Sequence, residues 1–163
     1  MEKGTVQAYY GSGKGKTSAA LGCAIHEASR GGSCIIIQFL KGKDEGQITF
    51  VSRLEPEIRL FHFQKFEAMY DELSEEQKRD ARNSIQNGLN YARKVMNTGE
   101  CSMLILDEAL GLIDNGIITA EDLVRLIGTK PDDMSLLLTG RVMDEKLLPY
   151  LNTVYHIRAE KEE

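Results

Sequence analysis

The sequence predicts an α/β fold, a three-layer sandwich around a mostly parallel sheet, with residues 1–163 forming one domain. Three observations predict it. Short β-branched apolar runs alternate with stretches of helical periodicity, as in repeated strand–helix–strand units. A glycine-rich stretch, Gly11-Ser12-Gly13-Lys14-Gly15-Lys16-Thr17, lies between the first strand candidate and the first helix. A fully apolar run, Met103-Leu104-Ile105-Leu106, ends in Asp107-Glu108.

Thr5 to Tyr10 reads as the first strand. Thr17 to Arg30 reads as a helix, with Leu21, Ala24, Ile25 and Ala28 at helical spacing and Gly31-Gly32 as its stop. The loop between them has the chemistry of a phosphate cradle. Its glycines let the backbone turn tightly and point successive N–H groups into one concavity, on a helix N-terminus whose dipole favours an anion. Lys16 adds a mobile cation, and Thr17 a hydroxyl placed to reach a phosphate-bound Mg²⁺. The general pattern Gly-x-x-x-x-Gly-Lys-Ser/Thr would put its first glycine at Tyr10; here Gly11 comes one residue late and the loop is one residue shorter. A glycine run alone is more often a solvated turn. The attached Gly-Lys-Thr, with a strand before and a helix after, decides for phosphate binding.

Cys34 to Leu40 is a nearly continuous apolar run, the pattern of a strand covered on both faces. Gln38 interrupts it near its C-terminal end, which fits equally a ligand contact and an edge-strand residue facing solvent. Lys41 to Gly46 is a charged loop at the same end of the sheet, where it could touch phosphate or substrate or simply be a solvated connection. Ile58 to Phe63 is a third strand, and Phe66, Met69 and Tyr70 after it read as core packing in preference to the lining of a cleft. Ser74-Glu75-Glu76-Gln77 has the form of a capping box. It starts a helix running toward Gly99 that buries Ile85, Leu89, Ala92 and Met96 on one face.

The run ending in Asp107-Glu108 is placed beside the first strand, so that both carboxylates face the phosphate loop. One can orient Mg²⁺ or its water shell, and the other can bind the metal or polarise a group near it. Alone this pattern is weak; paired with Gly15-Lys16-Thr17 it points to a nucleoside-triphosphate site. Asp114-Asn115-Gly116 reads as a turn, and Thr119 starts a helix ending near Gly128. Ser135 to Thr139 is a further buried strand, which brings Arg141 to the ligand end of the sheet, where a guanidinium can hold phosphate oxygens. Asn152 to Arg158 is the last strand, followed by a charged tail.

A net charge of -5 speaks against a broad nucleic-acid-binding face. The polar start Met1-Glu2-Lys3-Gly4 is unlike a signal peptide and no apolar run approaches a membrane span, so the expectation is a cytoplasmic protein without membrane contact. Cys23, Cys34 and Cys101 are too widely spaced for a zinc site and read as small buried residues, while His26, His62 and His156 lack metal-ligand spacing.

Gly11 through Gly22, then Gln38-Phe39-Leu40-Lys41-Gly42, Leu106-Asp107-Glu108 and Leu138-Thr139-Gly140-Arg141 resemble, in order and spacing, the ATP:corrinoid adenosyltransferases, a family related to RecA-like P-loop proteins. The shortened loop is the family's own variant. The resemblance implies transfer of the 5′-deoxyadenosyl group of ATP to the cobalt of a reduced corrinoid in cobalamin metabolism, with triphosphate as leaving group. It implies that Gly11, Ser12, Gly13, Lys14, Gly15, Lys16, Thr17 and Ser18, with Gln38, would hold the nucleotide. Lys16 would neutralise leaving-group charge, Thr17, Asp107 and Glu108 would hold Mg²⁺, and Arg141 would be a further site contact.

The chain differs from the family pattern in three places. A Lys-His-Pro-Tyr-Asp-x-Gly-like segment usually follows the last strand, where this sequence has Ala159-Glu160-Lys161-Glu162-Glu163; Ala109-Leu110-Gly111 follows the carboxylates where a polar residue is usual; and there is no tryptophan. The alternative function is therefore an ATP-binding regulatory protein or NTPase of the same fold. A homodimer is one arrangement that would cover the cleft the usual segment closes.

Overall fold

The computed structural model describes residues 3–40 and 48–163, so the charged loop from Lys41 to Gly46 lies outside the described residues. Strands β1 (Val6–Tyr10), β2 (Cys34–Gln38), β3 (Ile58–His62), β4 (Met103–Asp107), β5 (Ser135–Gly140) and β6 (Thr153–His156) form one sheet in the order β3-β2-β4-β5-β1-β6. Every pairing is parallel.

Parallel strands need crossovers, and the helices that supply them cover both faces. Along the strands, alternate residues therefore enter two different cores. Cys34, Ile36, Met103, Ile105 and Leu137 pack against Ala20 and Ala24 of α1 (Lys16–Ser29) and against Val51 in a 3₁₀ turn at Thr49–Leu54. Ile35, Ile37, Leu104, Leu106, Leu136 and Leu138 face the other way. They meet Ile85, Leu89, Ala92 and Met96 of α2 (Glu75–Thr98), Leu110 and Leu112 of α3 (Ala109–Asp114) and Leu123 and Leu126 of α4 (Ala120–Ile127). Each such leucine or isoleucine contributes about 1.5–3 kcal/mol through burial. The result is the three-layer sandwich expected.

Local chemistry sets the helix ends. At the start of α2, Ser74 accepts the Gln77 N–H while the Gln77 side chain accepts the Ser74 N–H, and Gly99 at φ 64° ends the helix. Thr119 and Asp122 cap α4 in the same way. Within α2, Gly88 is buried, and a β-carbon on it would lie 2.8 Å from both Phe39 Cε1 and Phe63 Cγ.

Three expectations are corrected. The strand carrying Asp107 is not beside β1, because β5 intervenes and pairs with both. β2 lies inside the sheet between β3 and β4, so Gln38 is not on an edge. Phe66, Met69 and Tyr70 are only half-buried: the stretch from Phe63 to Leu73 leaves the sheet at its C-terminal lip, and Phe66 and Tyr70 line a surface groove with Phe39, Leu40 and Phe63.

Candidate functional site

The site is assembled at the C-terminal ends of β1, β2, β4 and β5. The loop after β1 is tied to the sheet by its own amides: Gly11 N–H donates to the Gly140 carbonyl (3.1 Å) and Gly13 N–H to the Ile157 carbonyl (3.0 Å). The expected run of inward-pointing N–H groups is therefore interrupted at both glycines. The turn into α1 is the part of the loop with the chemistry an anion prefers, because the first amides of a helix lack an intrahelical acceptor. Glycine is required here on two grounds. Gly11, at φ 135°, would bring a β-carbon within 2.1 Å of the Ile157 oxygen, and Gly15, at φ 97°, turns the chain into α1.

Lys16 is only 5% exposed, yet its ammonium donates to the Gly13 carbonyl at 2.8 Å. A buried cation resting on its own loop is positioned to transfer to a phosphate oxygen. Next to it, the Thr17 hydroxyl donates to Asp107, 3.1 Å from Oδ1 and 3.0 Å from Oδ2. Gln38 Nε2 donates to Asp107 Oδ2 (3.1 Å), and the buried Thr139 hydroxyl donates to Oδ1 (2.7 Å). The structure thus brings Thr17, Gln38 and Asp107 together, although neither Gln38 nor Asp107 is on a strand next to β1.

Glu108 is buried as well and holds φ 61°, alone among the described non-glycine residues in having a positive φ. Strain of this kind collects at functional sites. Its N–H donates to Thr139 Oγ1 at 2.8 Å, and its Oε2 lies at the head of α3, against Gly111. Ser12, Lys14, Gly15 and Ser18 are exposed at the loop mouth. Arg141 follows Gly140, whose carbonyl holds the loop, and it is exposed with no ion-pair partner among the described residues.

Two site features have no separate signal in the sequence. Thr139 reads as an ordinary β-branched strand residue, yet one hydroxyl serves both Asp107 and the Glu108 backbone. The segment after β6 crosses the loop, with Ile157 N–H donating to the Tyr10 carbonyl (2.7 Å) and His156 stacked on Tyr10 at 4.5 Å and 5°. On the other face of β1, burial and then a hydrogen bond with Cys23 push the Tyr9 phenol up, which keeps it protonated and in a packing role.

Residues 2–163 match the model of a family described as ATP:corrinoid adenosyltransferase BtuR/CobO/CobP. The chain belongs to this family. It is similar to the corrinoid adenosyltransferase of Escherichia coli (strain K12), at 26% identity over 161 residues, covering 98% of this chain and 79% of the relative. Corrinoid adenosyltransferase CobA of Salmonella typhimurium (strain LT2) is likewise 26% identical over 163 residues, with 98% and 79% covered. A solved structure of the KaiC-like protein PH0186 from Pyrococcus horikoshii OT3 shares the fold, with a TM-score of 0.62 at 15% identity over 100% of this chain and 77% of that one.

As an ATP:corrinoid adenosyltransferase, the chain presents a donor set that fits Mg²⁺. Mg²⁺ takes oxygen ligands and keeps several waters, so it needs one or two protein oxygens beside substrate phosphates. The hydroxyl–carboxylate pair of Thr17 and Asp107 supplies those. Among the described residues no group of three or more His, Cys, Asp or Glu forms an all-protein metal cage. No helix among them is long and apolar enough to cross a membrane.

Proposed function

We propose that the chain transfers the 5′-deoxyadenosyl group of ATP to the cobalt of a reduced corrinoid and releases intact triphosphate. The observation that carries this reading is the meeting of Lys16, Thr17 and Asp107 at one phosphate loop in a chain of the adenosyltransferase family. The reduced corrinoid, as co-substrate, brings the electron pair for the new cobalt–carbon bond. The ribose C5′–O bond breaks, and its electrons leave on the triphosphate. No protein nucleophile or proton transfer is required. Among the described residues no serine or cysteine hydrogen-bonds to a histidine.

The protein's task is then to position substrates and to stabilise a departing polyanion. Lys16 moves from the Gly13 carbonyl to the phosphates, and Arg141 reaches them from the end of β5. Thr17 and Asp107, with Glu108 beside them, would hold a phosphate-bound Mg²⁺, which would supply further charge neutralisation. Gln38 and Thr139 fix the Asp107 carboxylate from two sides. The groove of Phe39, Phe63, Phe66 and Tyr70 offers an apolar wall at the same lip of the sheet, suited to the flat corrinoid ring. The reading places the protein in the cytoplasm. It also includes a homodimer, which sedimentation at monomer mass alone would remove.

The test is an anaerobic assay with ATP, Mg²⁺ and chemically reduced cobalamin, following loss of the cob(I) absorbance and identifying the phosphate product. Adenosylcobalamin with intact triphosphate, lost in Lys16→Ala, supports the reading. ATP binding without alkylation would refute it and leave a nucleotide-dependent regulator or NTPase.

A further inference from the structure

We infer that Arg158 is a further triphosphate contact, one that the strand-end motifs do not reveal; the inference rests on the ATP reading above. The backbone establishes its place. Beyond β6 the chain crosses the phosphate loop instead of leaving the sheet: Ile157 accepts Gly13 N–H at 3.0 Å and donates to the Tyr10 carbonyl at 2.7 Å. A β-carbon built on Gly13 would lie 3.0 Å from Arg158 Cα, so Arg158 is rooted in van der Waals contact with the middle of the loop.

The side chain is not committed elsewhere. It is 68% exposed, and its ion pair is a 3.7 Å approach to the still more exposed Glu160 two residues on. Exposed pairs of this kind contribute little, being screened by solvent. A triphosphate at the loop mouth offers the guanidinium several oxygens in the planar, two-pronged geometry it matches best. Arg158 therefore exchanges Glu160 for the polyanion, on the side of the loop opposite Gly140 and Arg141. Gly11 and Gly13 are small on this account for a second reason: their missing side chains let the arginine-bearing segment lie directly on the loop.

The experiment measures binding of inorganic tripolyphosphate with Mg²⁺ by calorimetry, with adenosine as a phosphate-free control. Arg158→Ala is expected to weaken tripolyphosphate binding about tenfold, the scale of one charge-assisted contact, with adenosine affinity and Tm unchanged. Arg158→Lys should recover part of the loss, and in turnover the KM for ATP should rise more than kcat falls. Wild-type affinity in Arg158→Ala, or an equal loss for adenosine, would overturn the assignment. Failure of the wild-type protein itself to bind tripolyphosphate would instead overturn the ATP reading beneath it.

Discussion

Thr139 donates its hydroxyl proton to Asp107 Oδ1 at 2.7 Å from a fully buried position, which fixes the carboxylate that also receives Thr17. The Thr139 hydroxyl oxygen in turn accepts the Glu108 N–H. Thr139→Val keeps the shape but leaves that N–H without its acceptor, at a cost of about 1–3 kcal/mol in stability. It should also raise the Mg²⁺ concentration needed for half-maximal ATP binding, and Thr139→Ser should restore it. A Val variant with an unchanged Mg²⁺ midpoint would show that the hydroxyl does not position Asp107.

Glu108 keeps a left-handed backbone that costs an L-residue about 1–2 kcal/mol. Asparagine tolerates this region better. Glu108→Asn is expected to raise Tm by about 2–4 °C for each kcal/mol recovered while abolishing adenosyl transfer. Differential scanning calorimetry beside the cob(I) assay checks both; a lower Tm would mean that Glu108 is not strained.

Burial pushes the Cys101 thiol up from 9.0 to about 11, and Cys34 is raised further for the same reason. The fold thus favours the protonated thiols. Their contribution is fully present below pH 9 and is lost as pH rises through about 11. Tm should fall across that window, and Cys101→Ala should flatten the decline. An unchanged slope in the variant would assign the alkaline loss to other groups.

Gly13→Ala would place a methyl group 3.0 Å from both the Ile157 oxygen and Arg158 Cα, so the crossing segment must shift. Faster hydrogen exchange is expected at the Gly13 and Ile157 amides, together with weaker ATP binding. Unchanged protection at both amides would show that the segment tolerates the methyl group in place.

The strands and long helices are legible in the sequence because their burial is periodic: β4 is buried at every position, and the capping residues of α2 and α4 stand where their chemistry requires. Strand order is not periodic information. Nothing local to Met103–Asp107 says that Ser135–Gly140 will slip in beside it. The helix Ala109–Asp114 carries no sequence signal because six mostly apolar residues have no room to display an amphipathic repeat. At the site, Lys16, Thr17 and Asp107 carry recognisable chemistry, whereas Thr139 and Arg158 acquire theirs only from neighbours distant in the chain. Arg158 in particular reads as the last residue of a strand until the backbone places it past β6 and on the loop.

The absent side chain of Gly88 has a wider consequence. With only a hydrogen there, Phe39 and Phe63 press against the axis of α2, and these same two rings floor the groove at the sheet's lip. The width of that groove is thus governed from the helix side by a single atom. Alanine or serine in place of Gly88 would push both rings away from the helix and reshape the opening, without altering any residue that handles phosphate.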